Sequence, residues 1–258
     1  MKESIQVMKQ EFCSILSMNQ PSIYLFGSIV LDDFKLGWSD IDILCLTKTS
    51  INIGQAEQLV NLRQKLLEMY PNNLYYRSFE GGILALDDFL SNTPNQVVYW
   101  GTSGQRITDQ YVFDTFSRME LLDSGILITG DDIRDKIKYP SDEEIRTAVI
   151  SHYETIRKFA VSPSRNLYSI GWLLDIARCL YTLQTGKIIA KTKAGEWAIE
   201  QKLAPNVSLM EKAVEIRKNP MKYKNDEGIL DWMETLGPYI QEFANVLEKQ
   251  IYESATNL

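Results

Sequence analysis

The chain has 258 residues, 45% hydrophobic and 24% charged, the balance of a folded globular protein with one large domain or two modest ones, and not of a disordered, collagen-like or coiled-coil chain. Its 27 Lys+Arg against 34 Asp+Glu leave a net charge of −7, which gives no general attraction to nucleic acid or an anionic membrane and suits small or cationic partners. Three scattered cysteines and a single histidine exclude a disulfide framework, a CxxC metal site and a histidine zinc site.

In chain order, Ile5, Met8, Phe12, Ile15 and Leu16 recur at the helical period, and the helix ends before Asn19-Gln20-Pro21. The same polar interruptions remove the apolar core of a leader peptide, and no run of about 18 apolar residues follows, so the expected location is the cytoplasm. Ser22 to Phe26 reads as a short buried strand stopped by Gly27-Ser28, and Ile41 to Leu46 as a second strand. Asn52 to Tyr70 predicts a helix closed by Pro71. Leu74 to Asp87 predicts one or two strands interrupted at Gly81-Gly82, and further helices are expected near 109–123 and 131–137, on either side of an apolar GILIT segment. Asp131-Asp132 would then sit at a helix N-terminus, where negative charge is favourable.

From Ser141 the pattern turns helical. Ser141-Asp142-Glu143-Glu144 is a capping box, and helices are expected from there, over 166–184, 194–202 and 208–218, and over a last stretch of 226–254. The fold class is therefore α+β: a mixed sheet with flanking helices over residues 1–138, followed by an all-helical domain over 139–258.

The chemistry concentrates at two places eleven residues apart, Gly27-Ser28 at the end of one strand and Ser39-Asp40-Ile41-Asp42 at the start of the next. Residues i and i+2 of a strand point the same way, so Asp40 and Asp42 share a face while Ile41 and Ile43 turn to the core. Two such carboxylates suit Mg²⁺, which takes hard oxygen ligands and is completed by substrate phosphates. Gly27 lets backbone approach a phosphate, and the Ser28 hydroxyl and nearby amides can donate to it. A phosphate cradle beside a two-carboxylate metal site describes phosphoryl or nucleotidyl transfer, in which positioning and charge neutralisation do most of the work.

These residues, in YLFGSIVLDDFKLGWSDIDIL, resemble the Gly-Ser…Asp-x-Asp signature of polymerase-β-like nucleotidyltransferases. The branch most similar is the aminoglycoside adenylyltransferases of the spectinomycin/streptomycin type, because RCLYTLQTGKIIAKTKAGEWA over 178–198 resembles that family's helix, Thr-Gly-Lys turn, downstream lysine and Trp-Ala helix. The resemblance implies an enzyme that moves AMP from ATP, with Mg²⁺, to a hydroxyl of a small cationic acceptor and releases pyrophosphate. It implies that Asp40 and Asp42 hold Mg²⁺, that Gly27 and Ser28 meet the nucleotide phosphates, and that Arg178 and Lys191 contact the same phosphates. Glu80 matches the family's general base, with a third metal ligand as the other reading of its carboxylate. Trp172 and Asp175 are weaker matches to the acceptor site, and Asp175 equally fits a pair with Arg178. One departure bears on the acceptor: in Trp100-Gly101-Thr102-Ser103, Ser103 stands where the family places a drug-packing tryptophan. The rival readings are transfer to a different acceptor and an antitoxin-like binding module that keeps the fold, while polymerase action conflicts with the acidic balance. The residues leave the choice between monomer and dimer open.

Overall fold

The structure is a computed structural model that describes residues 1–101 and 104–256, with residues 254–256 described in backbone alone. The chain forms two compact units. The first comprises Met1–Phe34 and Ser39–Tyr139, and the second comprises Lys35–Trp38 and Pro140–Leu258.

The first unit opens with helix α1 (Lys2–Ile15) and strand β1 (Ser22–Phe26). Then come β2 (Ile41–Thr47), α2 (Ile53–Met69), β3 (Phe79–Ala85) and α3 (Leu86–Ser91). It ends with β4 (Val97–Gly101), β5 (Gly104–Thr108), α4 (Thr115–Ser124) and β6 (Ile126–Thr129). The six strands lie in the order β5-β4-β3-β2-β1-β6. Only β2 and β3 run parallel, joined through α2; every other neighbouring pair is antiparallel. Alternation along the strands builds two cores. Ile23, Leu25, Ile41, Ile43 and Cys45 pack with Met8, Phe12 and Leu59 of the first two helices, while Tyr24, Phe26, Leu44 and Leu46 pack on the opposite face with Leu84, Leu121 and Ile133. Helix α2 starts in a reciprocal cap: Asn52 accepts from the Gln55 amide at 3.0 Å while Gln55 accepts from the Asn52 amide at 3.1 Å.

Three expectations for this unit need correction. Gly81-Gly82 does not interrupt β3, which runs through both glycines in unbroken parallel register with β2. The reason is proximity: a Cβ on Gly81 would lie 1.8 Å from the Ile43 carbonyl oxygen, and one on Gly82 would meet the Tyr111 ring. The expected helix over 131–137 shrinks to a 3-10 turn at Arg134–Lys136. Here Tyr24 Oη donates to Asp132 Oδ1 at 3.1 Å and accepts from the Ile133 amide at 2.7 Å, so side chains take over the bonds a helix would need. Asp131 and Asp132 consequently pair with Lys48 and Arg134 rather than with a helix dipole. The helix expected from 109 begins only at Thr115, where Asp114 accepts from the Ser117 amide at 2.8 Å. Strands β4 and β5 were not among the expected elements.

The second unit is helical: α5 (Asp142–Phe159), α6 (Tyr168–Thr185), α7 (Lys191–Glu200), α8 (Val207–Lys218), α9 (Pro220–Tyr223), α10 (Glu227–Glu234) and α11 (Gly237–Thr256). The Ser141 capping box is present, with the Glu144 amide donating to Ser141 Oγ at 3.2 Å and the Ser141 amide donating to Glu144 Oε2 at 2.8 Å. The single last helix expected over 226–254 is two. A Cβ on Gly237 would lie 2.1 Å from the Val161 carbonyl oxygen, and Pro238, which has no N–H, suits the first turn of a new helix better than the interior of an old one. No helix among the described residues is long and apolar enough to cross a membrane.

Candidate active site

The site begins where β1 runs out. Phe26 pairs with Asp42 across the antiparallel β1–β2 ladder. The chain then turns at Gly27 with φ +69°, a conformation glycine adopts freely. A Cβ there would fall 2.0 Å from Asp42 Oδ2, so the absence of a side chain at Gly27 is what lets the aspartate carboxylate lie against the turn. The Gly27 carbonyl accepts from the amides of Val30 and Leu31, both at 3.2 Å. Those two amides are therefore committed to closing the turn and are not donors to a phosphate. Ser28 Oγ reaches the Asp40 carbonyl oxygen at 3.4 Å, which ties the turn to the chain entering β2.

Asp40 precedes β2, and Asp42 lies on the β2 face that carries Leu44 and Leu46, while Ile41 and Ile43 are fully buried on the other face. The parallel ladder then adds what spacing alone cannot: Asp42 stands directly beside Glu80 of β3. Two carboxylates from neighbouring strands, Asp42 and Glu80, thus stand side by side next to Gly27, and Asp40 lies just before the first of those strands. Among the described residues, no group of three or more His, Cys, Asp or Glu is placed to hold a metal ion by itself. The donor set is instead of the kind Mg²⁺ uses when substrate phosphates and water complete its shell.

Four residues of the first unit that the sequence reading did not single out complete the surroundings. Tyr99 of β4 donates from Oη to Glu80 Oε1 at 2.6 Å. Burial, then the hydrogen bond to Glu80 and the charge of Glu80, push the Tyr99 phenol up to about 12, with the Arg106 charge opposing. The Arg106 guanidinium lies over the Tyr99 ring at 4.6 Å. Tyr111 packs beside Tyr99 with ring centroids 6.1 Å apart, and burial drives its phenol far above the ordinary range. Arg63 of α2 is buried and donates to the carbonyls of Arg77 at 2.7 Å, Gly101 at 3.0 Å and Phe79 at 3.2 Å, so it ties the start of β3 to the end of β4. Burial lowers its pKa, and the charges of Glu80 and Asp40 oppose that shift. The signal available for this cluster was the glycine placement, Gly81-Gly82 and Gly101, which marks strands with close neighbours.

In the helical unit, Trp172, Asp175 and Arg178 follow one another at i, i+3 and i+6 along a half-buried stripe of α6. Lys191 Nζ lies 2.9 Å from Asp175 Oδ1 and 3.2 Å from Oδ2, and an Arg178 guanidinium nitrogen lies 3.6 Å from Oδ1. Burial raises the Asp175 pKa, but the charges of Lys191 and Arg178 and the Lys191 hydrogen bond outweigh it and hold the carboxyl below its ordinary value. Asp175 thus stands against both Arg178 and Lys191. Lys187 is exposed just past the C-terminus of α6, where Gly186 takes φ +64°. The site residues thus form two groups, Gly27, Ser28, Asp40, Asp42 and Glu80 in the first unit and Trp172, Asp175, Arg178 and Lys191 in the second. Ser103 lies outside the described residues.

Residues 5–78 match the family model of the nucleotidyltransferase domain, a match that stops two residues short of Glu80. Residues 138–247 match the model of the aminoglycoside adenylyltransferase C-terminal domain. Among solved structures, the chain is similar to the spectinomycin adenyltransferase AAD(9) from Enterococcus faecialis, solved with ATP and spectinomycin. The TM-score is 0.67 at 18% identity, over 96% of this chain and 99% of that one. No curated protein matches the sequence significantly. With a nucleotidyltransferase domain carrying the clustered carboxylates and an aminoglycoside adenylyltransferase C-terminal domain after it, the chain belongs to the nucleotidyltransferases of the aminoglycoside adenylyltransferase type.

Proposed function

We propose that the enzyme transfers AMP from ATP to a hydroxyl of an aminoglycoside-type antibiotic, of the spectinomycin or streptomycin class, and releases pyrophosphate. The observation that carries the reading is the register of β2 with β3, which sets Asp42 beside Glu80 at the turn formed by Gly27. The relative solved with ATP and spectinomycin supports the choice of both substrates.

Asp40 and Asp42 would hold the Mg²⁺ ion that accompanies ATP, which when bound would neutralise charge on the phosphates. Glu80 accepts the proton of the acceptor hydroxyl as that oxygen attacks the α-phosphorus, and the bond to the pyrophosphate leaving group breaks in the same displacement. Gly27 and Ser28 lie against the phosphates, and Arg178 and Lys191 supply further positive charge to them. In this reading Trp172 contributes to the acceptor site, and the net charge of −7 favours the approach of a cationic acceptor. Ser103, in place of an aromatic residue, favours a second reading in which the same transfer serves a different small acceptor.

The test is pyrophosphate release from MgATP across a panel that includes spectinomycin and streptomycin, with Asp42→Ala as the blank. Release with one drug, lost in the blank and in Glu80→Gln while Glu80→Gln still binds MgATP, supports the reading and the base role of Glu80. Silence across the panel with MgATP binding intact rejects the antibiotic acceptor in favour of the second reading. Loss of MgATP binding in Glu80→Gln makes Glu80 a metal ligand instead.

A further inference from the structure

The Glu80 carboxylate accepts a hydrogen bond from Tyr99. Several features fix the phenol that makes it. Tyr99 is opposite Gly82 in the β3–β4 ladder, so no side chain fills the space across from it. A Cβ on Gly101 would fall 2.5 Å from the Tyr99 ring, so the ring lies over the backbone of Gly101, toward the end of β4. Tyr111 occupies the remaining space over Gly82. On the outer side, Arg106 of β5 is the direct cross-strand partner of Tyr99 and stacks its guanidinium on the ring. The ring is held on all these sides, and its hydroxyl meets Glu80 Oε1 at 2.6 Å, a short bond of the charge-assisted kind.

We propose that Tyr99 is a positioning residue of the transfer reaction: by holding Oε1 of Glu80 it fixes the carboxylate so that Oε2 is the oxygen presented to the acceptor hydroxyl. This rests on the reading of Glu80 as the base. Arg106, stacked on the ring, and Arg63, which ties the ends of β3 and β4 through their carbonyls, hold the pair in place from outside and beneath.

The experiment compares the full-length enzyme with Tyr99→Phe, which keeps the ring in its slot and removes only the hydroxyl. With spectinomycin or whichever panel drug supports turnover, kcat is expected to fall about tenfold from the lost orientation, with KM for ATP and the calorimetric Kd for MgATP unchanged. An unchanged kcat, or a fall in kcat matched by an equal weakening of MgATP binding, overturns the proposal. A second measurement needs no acceptor: the enzyme labelled with 3-fluorotyrosine is examined by fluorine NMR, with the Tyr99 resonance assigned by its absence in Tyr99→Phe. That resonance should move in Glu80→Gln. A silent drug panel with a shifted resonance rejects the antibiotic reading and supports the Tyr99–Glu80 coupling, whereas an unmoved resonance overturns the coupling whatever the panel gives.

Discussion

At Gly27 a single added carbon atom would collide with the Asp42 carboxylate. The turn needs a positive φ, and the space a methyl group would occupy is taken by Asp42 Oδ2 only 2.0 Å away. Gly27→Ala therefore imposes two costs: roughly 1–2 kcal/mol for a left-handed L-residue, and displacement of the aspartate. The first is a stability effect read as a lowered melting temperature. The second acts on chemistry under the proposed function, because moving a carboxylate of the reaction site by about 1 Å can cost roughly a hundredfold in rate. We expect Gly27→Ala to remain folded and to lose at least that much pyrophosphate release. A variant with near-normal turnover would show that Asp42 has another place to go and is not set by the turn. Lys191 and Arg178 surround Asp175 with two cations, and their flexible side chains can adjust where a backbone turn cannot.

Among the elements, the β2–β3 ladder carries the most functional weight, since it alone sets Asp42 beside Glu80. Gly81 is its closest point: a Cβ would lie 1.8 Å from the Ile43 carbonyl oxygen, and the residue takes φ +149°. Backbone in a central strand cannot move aside as a side-chain tip can. Gly81→Ala is therefore expected to lower unfolding free energy by about 3 kcal/mol, within the range of core overpacking, and to cut turnover more steeply than stability. Denaturant titration alongside pyrophosphate release checks both, and a variant of native stability would refute the close approach. Much of this level was legible beforehand. The period-two pattern placed Asp40 and Asp42 on one face, β1 and β2 followed from β-branched and apolar runs ended by glycine, and the Ser141 box marked its helix start. What escaped depended on partners far away in sequence. Gly81-Gly82 looked like a break because the neighbour that demands glycine, Ile43, lies 38 positions earlier, by the numbering of the two residues. Tyr99 and Arg63 joined the site only through strand register and buried carbonyls, which no local pattern encodes. The 131–137 segment had helical composition, yet the Tyr24 hydroxyl and Asp132 took its backbone bonds. The break before Gly237-Pro238 was readable from the dipeptide itself.

For the whole molecule, sequence halves and compact units are not the same division. Lys35–Trp38 lies between Gly27-Ser28 and Asp40-Asp42 in sequence, yet it belongs to the helical unit. Trp38 is 8% exposed, and the guanidinium of Arg217, itself 3% exposed, lies 4.7 Å from its ring. A Cβ on the adjoining Gly37 would meet Met221 Sδ at 2.6 Å, so the helical unit closes tightly around this segment. A buried tryptophan paired with a buried arginine contributes both area and cation–π attraction, and its removal leaves a cavity beside a charge that has lost its aromatic face. Trp38→Ala should therefore cost about 3–5 kcal/mol, the range for truncating a buried aromatic residue. The location of the damage is more telling than its size. Hydrogen exchange should show lost protection in the helical unit, in α6 and α8, although the substituted residue lies in the first sixth of the chain. Trp38→Phe should recover most of that protection, because the ring face presented to Arg217 survives. If instead protection falls only in residues flanking position 38, while α6 and α8 exchange as in the parent protein, then the segment is a passive linker and the helical unit folds without it. The first outcome would make the connection between the Gly27 turn and β2 a structural part of the helical unit. Changes that destabilise that unit would then reach the Gly27 turn through four residues.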